Sequence, residues 1–207
     1  SALRPAAIDA VVETPRAGAP LRIVLHLAHR YGPESWLVEP RRDAGTPGPL
    51  PLPVGSRLRA AHVSATLLGA FPGLPRLRFL RSDGDLAAAA ERHGRPVRYG
   101  HLPVPVPRDA YETVFGDRAG SAEMASAGRP FTVDLVGALR ARGVGIVLVT
   151  LHAGVSGLDA PEDPTYLRVP AEPFEVDAAA AHAVNQACAD GRRVIAIGTG
   201  AVRALET

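Results

Sequence analysis

Three short stretches of this chain carry residue types that do chemistry. They are the loop SAEMASAGRPF from Ser121 to Phe131, Thr150-Leu151-His152-Ala153-Gly154, and Gly198-Thr199-Gly200. Small residues and hydroxyls at such positions let backbone N–H groups approach a ligand, as glycine-rich turns approach phosphates. His152 follows an apolar run beside Thr150, so it is the leading candidate for acid–base or ligand-orienting work. The bland alternative is a half-buried histidine bonded to backbone. Glu123 and Glu172 are loop carboxylates, which are usually just solvated. The remaining histidines, 26, 29, 62, 93, 101 and 182, show no metal-ligand spacing, so no metal is expected. Gly198-Thr199-Gly200 lacks the G-x-G-x-x-G spacing and no helix start is evident after it. The 126–131 stretch lacks the Gly-Lys-Ser/Thr of a phosphate loop.

These positions need elements to hold them, and the chain changes grammar near residue 100. Residues 1–101 read as a small β-barrel-like domain. Strands are expected over IDAVVET, LRIVLHLAHR, SWLVEP, RLRAAHVSATLLGAF and PRLRFLRS, joined by proline- and glycine-rich turns including 15–20. Within it DGDLAAAAERHG is a helix capped at Asp83 or Asp85 and stopped at Gly94. Trp36 and Tyr31 are expected to pack the barrel rather than stack a base. A turn-rich bridge over 102–132 then leads into residues 102–207, read as an α/β domain. Its helices are RPFTVDLVGALRARG, with Thr132 as N-cap and an apolar stripe of Leu135, Val136 and Leu139, and VDAAAAHAVNQACADG, with Asp177 as N-cap. VGIVLVTLHAG and RRVIAIGTG are its expected buried strands. The fold class is therefore an α/β domain, a mixed sheet with flanking helices, plus a small antiparallel β-barrel domain.

All 23 basic residues are arginine, against 21 acidic ones, leaving a net charge of +2 that argues against a dedicated nucleic-acid binder. Arginine without lysine is what a high-GC genome produces, although guanidinium forks also suit phosphate. No stretch approaches the ~18 apolar residues of a membrane span and no leader pattern is visible. With Cys188 as the single cysteine, a cytoplasmic protein without membrane partners is expected. The SALRPA start and RALET end read as those of a piece of a longer chain.

From residue 102 onward the sequence resembles the S-adenosylmethionine:tRNA ribosyltransferase-isomerase family of queuosine biosynthesis. The resemblance runs through Leu102-Pro103, then Tyr111, Thr113, Val114 and Phe115, then Ser126 to Phe131. It continues in Val149-Thr150-Leu151-His152-Ala153-Gly154, in Glu172 with Phe174-Glu175-Val176, and in Arg193 to Thr199 with Val202 to Glu206. It implies an α/β domain carrying an inserted β-barrel. It also implies transfer of the ribosyl part of S-adenosylmethionine to a deazaguanine base in tRNA, with rearrangement to an epoxycyclopentane and release of adenine and methionine. S-adenosylmethionine is then a co-substrate, no metal is called for, and tRNA is a partner alongside the nucleoside. Carried onto this chain, His152 and Glu172 would be catalytic. Ser126, Gly128, Arg129, Phe131, Thr150, Gly154 and Thr199 would bind S-adenosylmethionine, with Arg129 facing its carboxylate or a tRNA phosphate.

The family pattern is also broken at defined places. Its histidine before the phenylalanine is Pro130 here, its histidine two before the glutamate is Pro170, and its second threonine in the last motif is Gly200. The family's two arginines near the start are lost in Ser1 to Ala7. Proline neither donates nor accepts a proton, so acid–base steps at 130 and 170 cannot run. Two other readings follow: a diverged S-adenosylmethionine-binding paralogue acting on another acceptor, and a non-catalytic nucleic-acid-binding module built on the barrel.

Overall fold

The computed structural model describes residues 2–13, 20–42, 50–98, 104, 106–155 and 170–207. Most of the turn expected over 15–20 lies outside them, as do His101, Leu102 and Pro103. Two compact units emerge. One comprises Arg4–Pro107 with Gly154–Ala171, the other Ser1–Leu3, Arg108–Ala153 and Glu172–Thr207.

The first unit is a closed antiparallel barrel. Its strands are β2 (Ala7–Glu13), β3 (Leu21–Arg30), β4 (Ser35–Arg41), β5 (Arg57–Ala60), β6 (Val63–Phe71) and β7 (Leu74–Ser82), ordered β2-β3-β4-β7-β6-β5. Closure removes the exposed edges that invite pairing with other chains. Alternation sends Ile8, Leu25, Leu27, Leu58, Leu67 and Leu80 inward, all nearly inaccessible. Helix α1 (Leu86–His93) adds Leu86, Ala89 and Ala90 to the same core, and Asp85 caps it by accepting from Ala88 N at 3.0 Å. The expected strand RLRAAHVSATLLGAF is in fact two, β5 and β6. They are joined at Ala61, whose φ of 51° makes a tight turn without glycine or proline. Trp36 packs in the core as expected, with the Arg4 and Arg30 guanidinium carbons 5.9 and 5.4 Å from its ring centre. Arg4 donates to the carbonyls of Leu27 and Ala28, and burial pulls its pKa down to about 10 against the opposing pull of Glu91.

On the barrel's outer side Glu39, 1% exposed, takes Arg41 Nη1 at 2.9 Å and Arg76 Nη1 at 2.7 Å. Arg76 also reaches the Val155 carbonyl at 3.5 Å. A buried carboxylate thus ties two strands to the chain that follows His152.

The second unit is the α/β part. Strand β1 (Ala2–Leu3) pairs parallel with β8 (Ala119–Ser121), and β9 (Thr150–Leu151) pairs antiparallel with β10 (Phe174–Glu175). Helices α2 (Val133–Ala141) and α3 (Ala178–Ala189) begin where the local signals place them. Thr132 accepts from Leu135 N at 3.1 Å and Asp177 from Ala180 N at 2.7 Å. Gly143 and Gly191 follow the two helices with φ of 78° and 65°. Helix α4 (Thr199–Leu205) starts directly after Gly198, correcting the expectation that no helix follows this motif.

The expected buried strands of this unit are mostly neither paired nor buried. Of VGIVLVTLHAG only Thr150–Leu151 lies in a ladder, and Val144 and Leu148 are 46% and 51% exposed. In RRVIAIGTG the residues 193–197 lie in no ladder among the described residues, and Ile195 is 70% exposed. Helix α2 fully buries no residue against the described residues, and of its apolar stripe Leu135 is exposed while Val136 and Leu139 are half-buried. The sequences have strand character, but a strand is held by the neighbour that takes its N–H and C=O groups. Amide hydrogen exchange in this chain should show it. Residues 145–149 and 193–197 are expected to exchange near the unprotected rate, while Leu25, Leu27 and Leu67 are protected by several orders of magnitude.

Candidate active site

His152 is fixed from three sides within the α/β unit. Its N–H donates to the Pro173 carbonyl at 2.9 Å. Ser121, 3% exposed, clamps the peptides around it: its hydroxyl accepts from Ala153 N at 3.1 Å and donates to the Leu151 carbonyl at 3.4 Å. Ala122 N donates to the Ala153 carbonyl at 2.7 Å. The imidazole lies against Gly120, where a β-carbon would stand 2.3 Å from His152 Nδ1. Only glycine leaves room for the ring there, and its φ of 155° also favours glycine. Gly120 is not among the residues singled out from the sequence, and Ser121 enters there only as the first residue of the 121–131 loop, because what they touch lies some thirty residues away.

The other motifs converge on the same unit. Ser126–Gly128 forms a single 3₁₀ turn. Gly128 is buried against Phe115 and Thr113, where a β-carbon would come within 3.2 Å of the Phe115 ring. Phe131 meets Phe115 edge to face, the ring centres 5.6 Å apart. The turn in turn approaches the last motif, since a β-carbon on Gly198 would lie 3.0 Å from Ala127 Cβ. Gly200, one residue into α4, packs towards Leu151 Cδ2, 3.6 Å from its own would-be β-carbon. Helix α4 therefore starts beside the Ser126 turn and packs against β9, the Thr150–Leu151 strand that His152 follows.

Glu172 is not a solvated loop carboxylate. It is 8% exposed and forms an ion pair and hydrogen bond with Arg203 on α4. Removing one partner of such a pair leaves a buried charge, so the contact pins the 172–175 segment to the helix. Ser126, Arg129 and Thr199 are exposed, Thr150 and Phe131 half-buried. Arg129 makes no ion pair among the described residues. Gly154 belongs instead to the barrel unit, where a β-carbon would collide with His29 Nε2 at 2.3 Å. Pro130 is exposed and Pro170 buried. No cluster of three His, Cys, Asp or Glu side chains suited to a metal occurs among the described residues. None of the described helices is long and apolar enough to cross a membrane.

Comparison with known proteins shows the family of the chain. A family model described as queuosine biosynthesis protein matches residues 5–207. The S-adenosylmethionine:tRNA ribosyltransferase-isomerase of Thermus thermophilus is 34% identical over 198 residues, 90% of this chain and 54% of that protein. Its namesake from Rhodospirillum rubrum is 36% identical over 202 residues, with the same coverage of 90% and 54%. The one from Acidithiobacillus ferrooxidans reaches 47% identity over 103 residues, 48% of this chain and 30% of that protein. No solved structure matches. The chain spans about half the length of the first two relatives. With a family model matching residues 5–207, this chain belongs to the queuosine biosynthesis protein family.

Proposed function

We propose that this chain carries the S-adenosylmethionine-handling part of a tRNA ribosyltransferase-isomerase. The observation that supports the reading is the convergence around His152: Gly120 beneath its ring, Gly200 beside Leu151, and Gly198 against the 126–128 turn. The groups present suit such a co-substrate. Phe131 and the close-packed glycines offer an apolar, backbone-lined approach for a nucleoside. Thr150 and Thr199 supply hydroxyls, and the exposed Arg129 guanidinium supplies the fork that pairs with an amino-acid carboxylate. Ser126 and Gly128 shape the turn that these groups share.

When bound, the sulfonium activates the ribosyl carbon next to it, and the adenine can leave as the neutral base if a proton reaches it. His152 brings an imidazole, a group able to pass a proton, to the cluster, so it handles that proton. Glu172, paired with Arg203, holds the 172–175 segment against α4 beside the cluster. The acceptor would be a deazaguanine base in tRNA, and the site of action the cytoplasm. Incubation with S-adenosylmethionine and a tRNA bearing the modified base should release adenine and methionine in equal amounts. Absence of release, together with no heat of binding for S-adenosylmethionine, would sink the reading.

Pro130 and Pro170 support a second reading, a paralogue that binds S-adenosylmethionine but serves a different acceptor. Under it S-adenosylmethionine binds without tRNA, and restoring histidine by Pro130→His with Pro170→His creates no tRNA activity. Gain of adenine release in that double variant would contradict it.

A further inference from the structure

The barrel's outer surface carries a second feature that the nucleoside cluster does not use. Ladder register places Glu13, Arg57, Thr66, Arg81 and Ser35 in one row across β2, β5, β6, β7 and β4. The adjacent row is Arg22, Val11, Arg59 and Ser64. Their in-register neighbours Leu58, Ala65 and Leu80 face the core, so both rows face outward. Arg22, Arg57, Arg59 and Arg81 are exposed. Only Arg57 has a carboxylate partner among the described residues, Glu13 at 3.4 Å, and that pair is open to solvent and weak. Arg57 and Arg59 stand about 7 Å apart along one strand, and Arg57 and Arg81 about 10 Å apart across two. Like charges so close repel one another in the free protein.

The same face continues into aromatic rings. Phe79 lies two residues before Arg81, on the same side of β7, opposite Leu37 of β4. Its ring is 6.2 Å from Tyr31 and 5.8 Å from Phe71, and Tyr31 is 52% exposed. Tyr31 thus does not pack the barrel interior as expected. It extends a surface tile beside the arginines.

We propose that this face docks single-stranded RNA, the arginine rows holding consecutive phosphates and Tyr31 with Phe79 stacking an unpaired base. Guanidinium forks pair with phosphate oxygens, the interleaved Ser35, Ser64 and Thr66 hydroxyls donate to them, and the rings accept any base face. The partner within the family reading is a tRNA loop, so the inference rests on that reading for its choice of RNA.

The experiment is a salt titration of the whole chain binding an unmodified tRNA transcript, followed by fluorescence anisotropy. The triple variant R57Q/R59Q/R81Q is expected to weaken binding and to flatten the log-affinity against log-salt slope by about 2, at ~0.7 per single-strand phosphate contact. Tyr31→Ala should weaken binding roughly tenfold and leave that slope unchanged, since stacking releases no counterions. R140Q/R142Q/R193Q, three exposed arginines of the other unit, is the charge-matched control. Circular dichroism melting and S-adenosylmethionine calorimetry show that each variant is folded. An unchanged slope in the triple variant, an equal change in the control, or wild-type protein that binds S-adenosylmethionine but no tRNA overturns the docking. Binding through this face without adenine release leaves the docking intact and counts against the ribosyl-transfer reading instead.

Discussion

His152→Ala is expected to lower adenine release by about 100- to 10,000-fold, the range lost when a positioned acid–base group is removed. S-adenosylmethionine binding should change far less, because hydroxyls, backbone and Arg129 supply most of the proposed contacts. Gly120→Ala offers the complementary probe. It leaves the imidazole in place chemically but drives a methyl group into it, since the β-carbon would stand 2.3 Å from Nδ1. A displacement of about 1 Å in a reacting group can cost about 100-fold in rate. Loss of release in both variants, with calorimetric binding retained, identifies the ring's position as what matters. An active His152→Ala enzyme would remove His152 from the mechanism.

The second large effect is one of stability. Glu39→Ala removes the carboxylate that Arg41 and Arg76 share, both of them largely withdrawn from water. Breaking a buried ion pair from one side costs about 3–5 kcal/mol, a large part of a small domain's stability. Urea unfolding followed by Trp36 fluorescence reads the barrel directly, because that is the chain's only tryptophan. A midpoint shift of well under 1 kcal/mol equivalent would mean that the cluster is solvated. The replacement should also loosen the chain at Val155, which Arg76 contacts.

Local signals in the sequence were the readable ones. Asp85, Thr132 and Asp177 each cap the helix expected of them, because a cap needs only the next three residues. The barrel strands were legible from their alternation and punctuation, except at Ala61, where a positive φ without glycine left no mark. What could not be read is what depends on partners far along the chain. The 144–149 and 193–197 runs have the composition of buried strands, yet composition does not supply a neighbour, and both stand exposed. The site divides in the same way. His152, Thr150 and the small-residue turns were visible as residue types in ordered motifs. Gly120, Ser121 and Arg203, which set the position of His152 and Glu172, act only through long-range contacts.

The proposed function requires four separated motifs to form one S-adenosylmethionine site around His152. Hydrogen exchange of the whole chain, with and without saturating S-adenosylmethionine, reads this out. Protection should rise together over residues 119–131, 150–153, 171–175 and 198–203, with the barrel strands unchanged. Protection confined to the barrel, or in none of these segments, would contradict it.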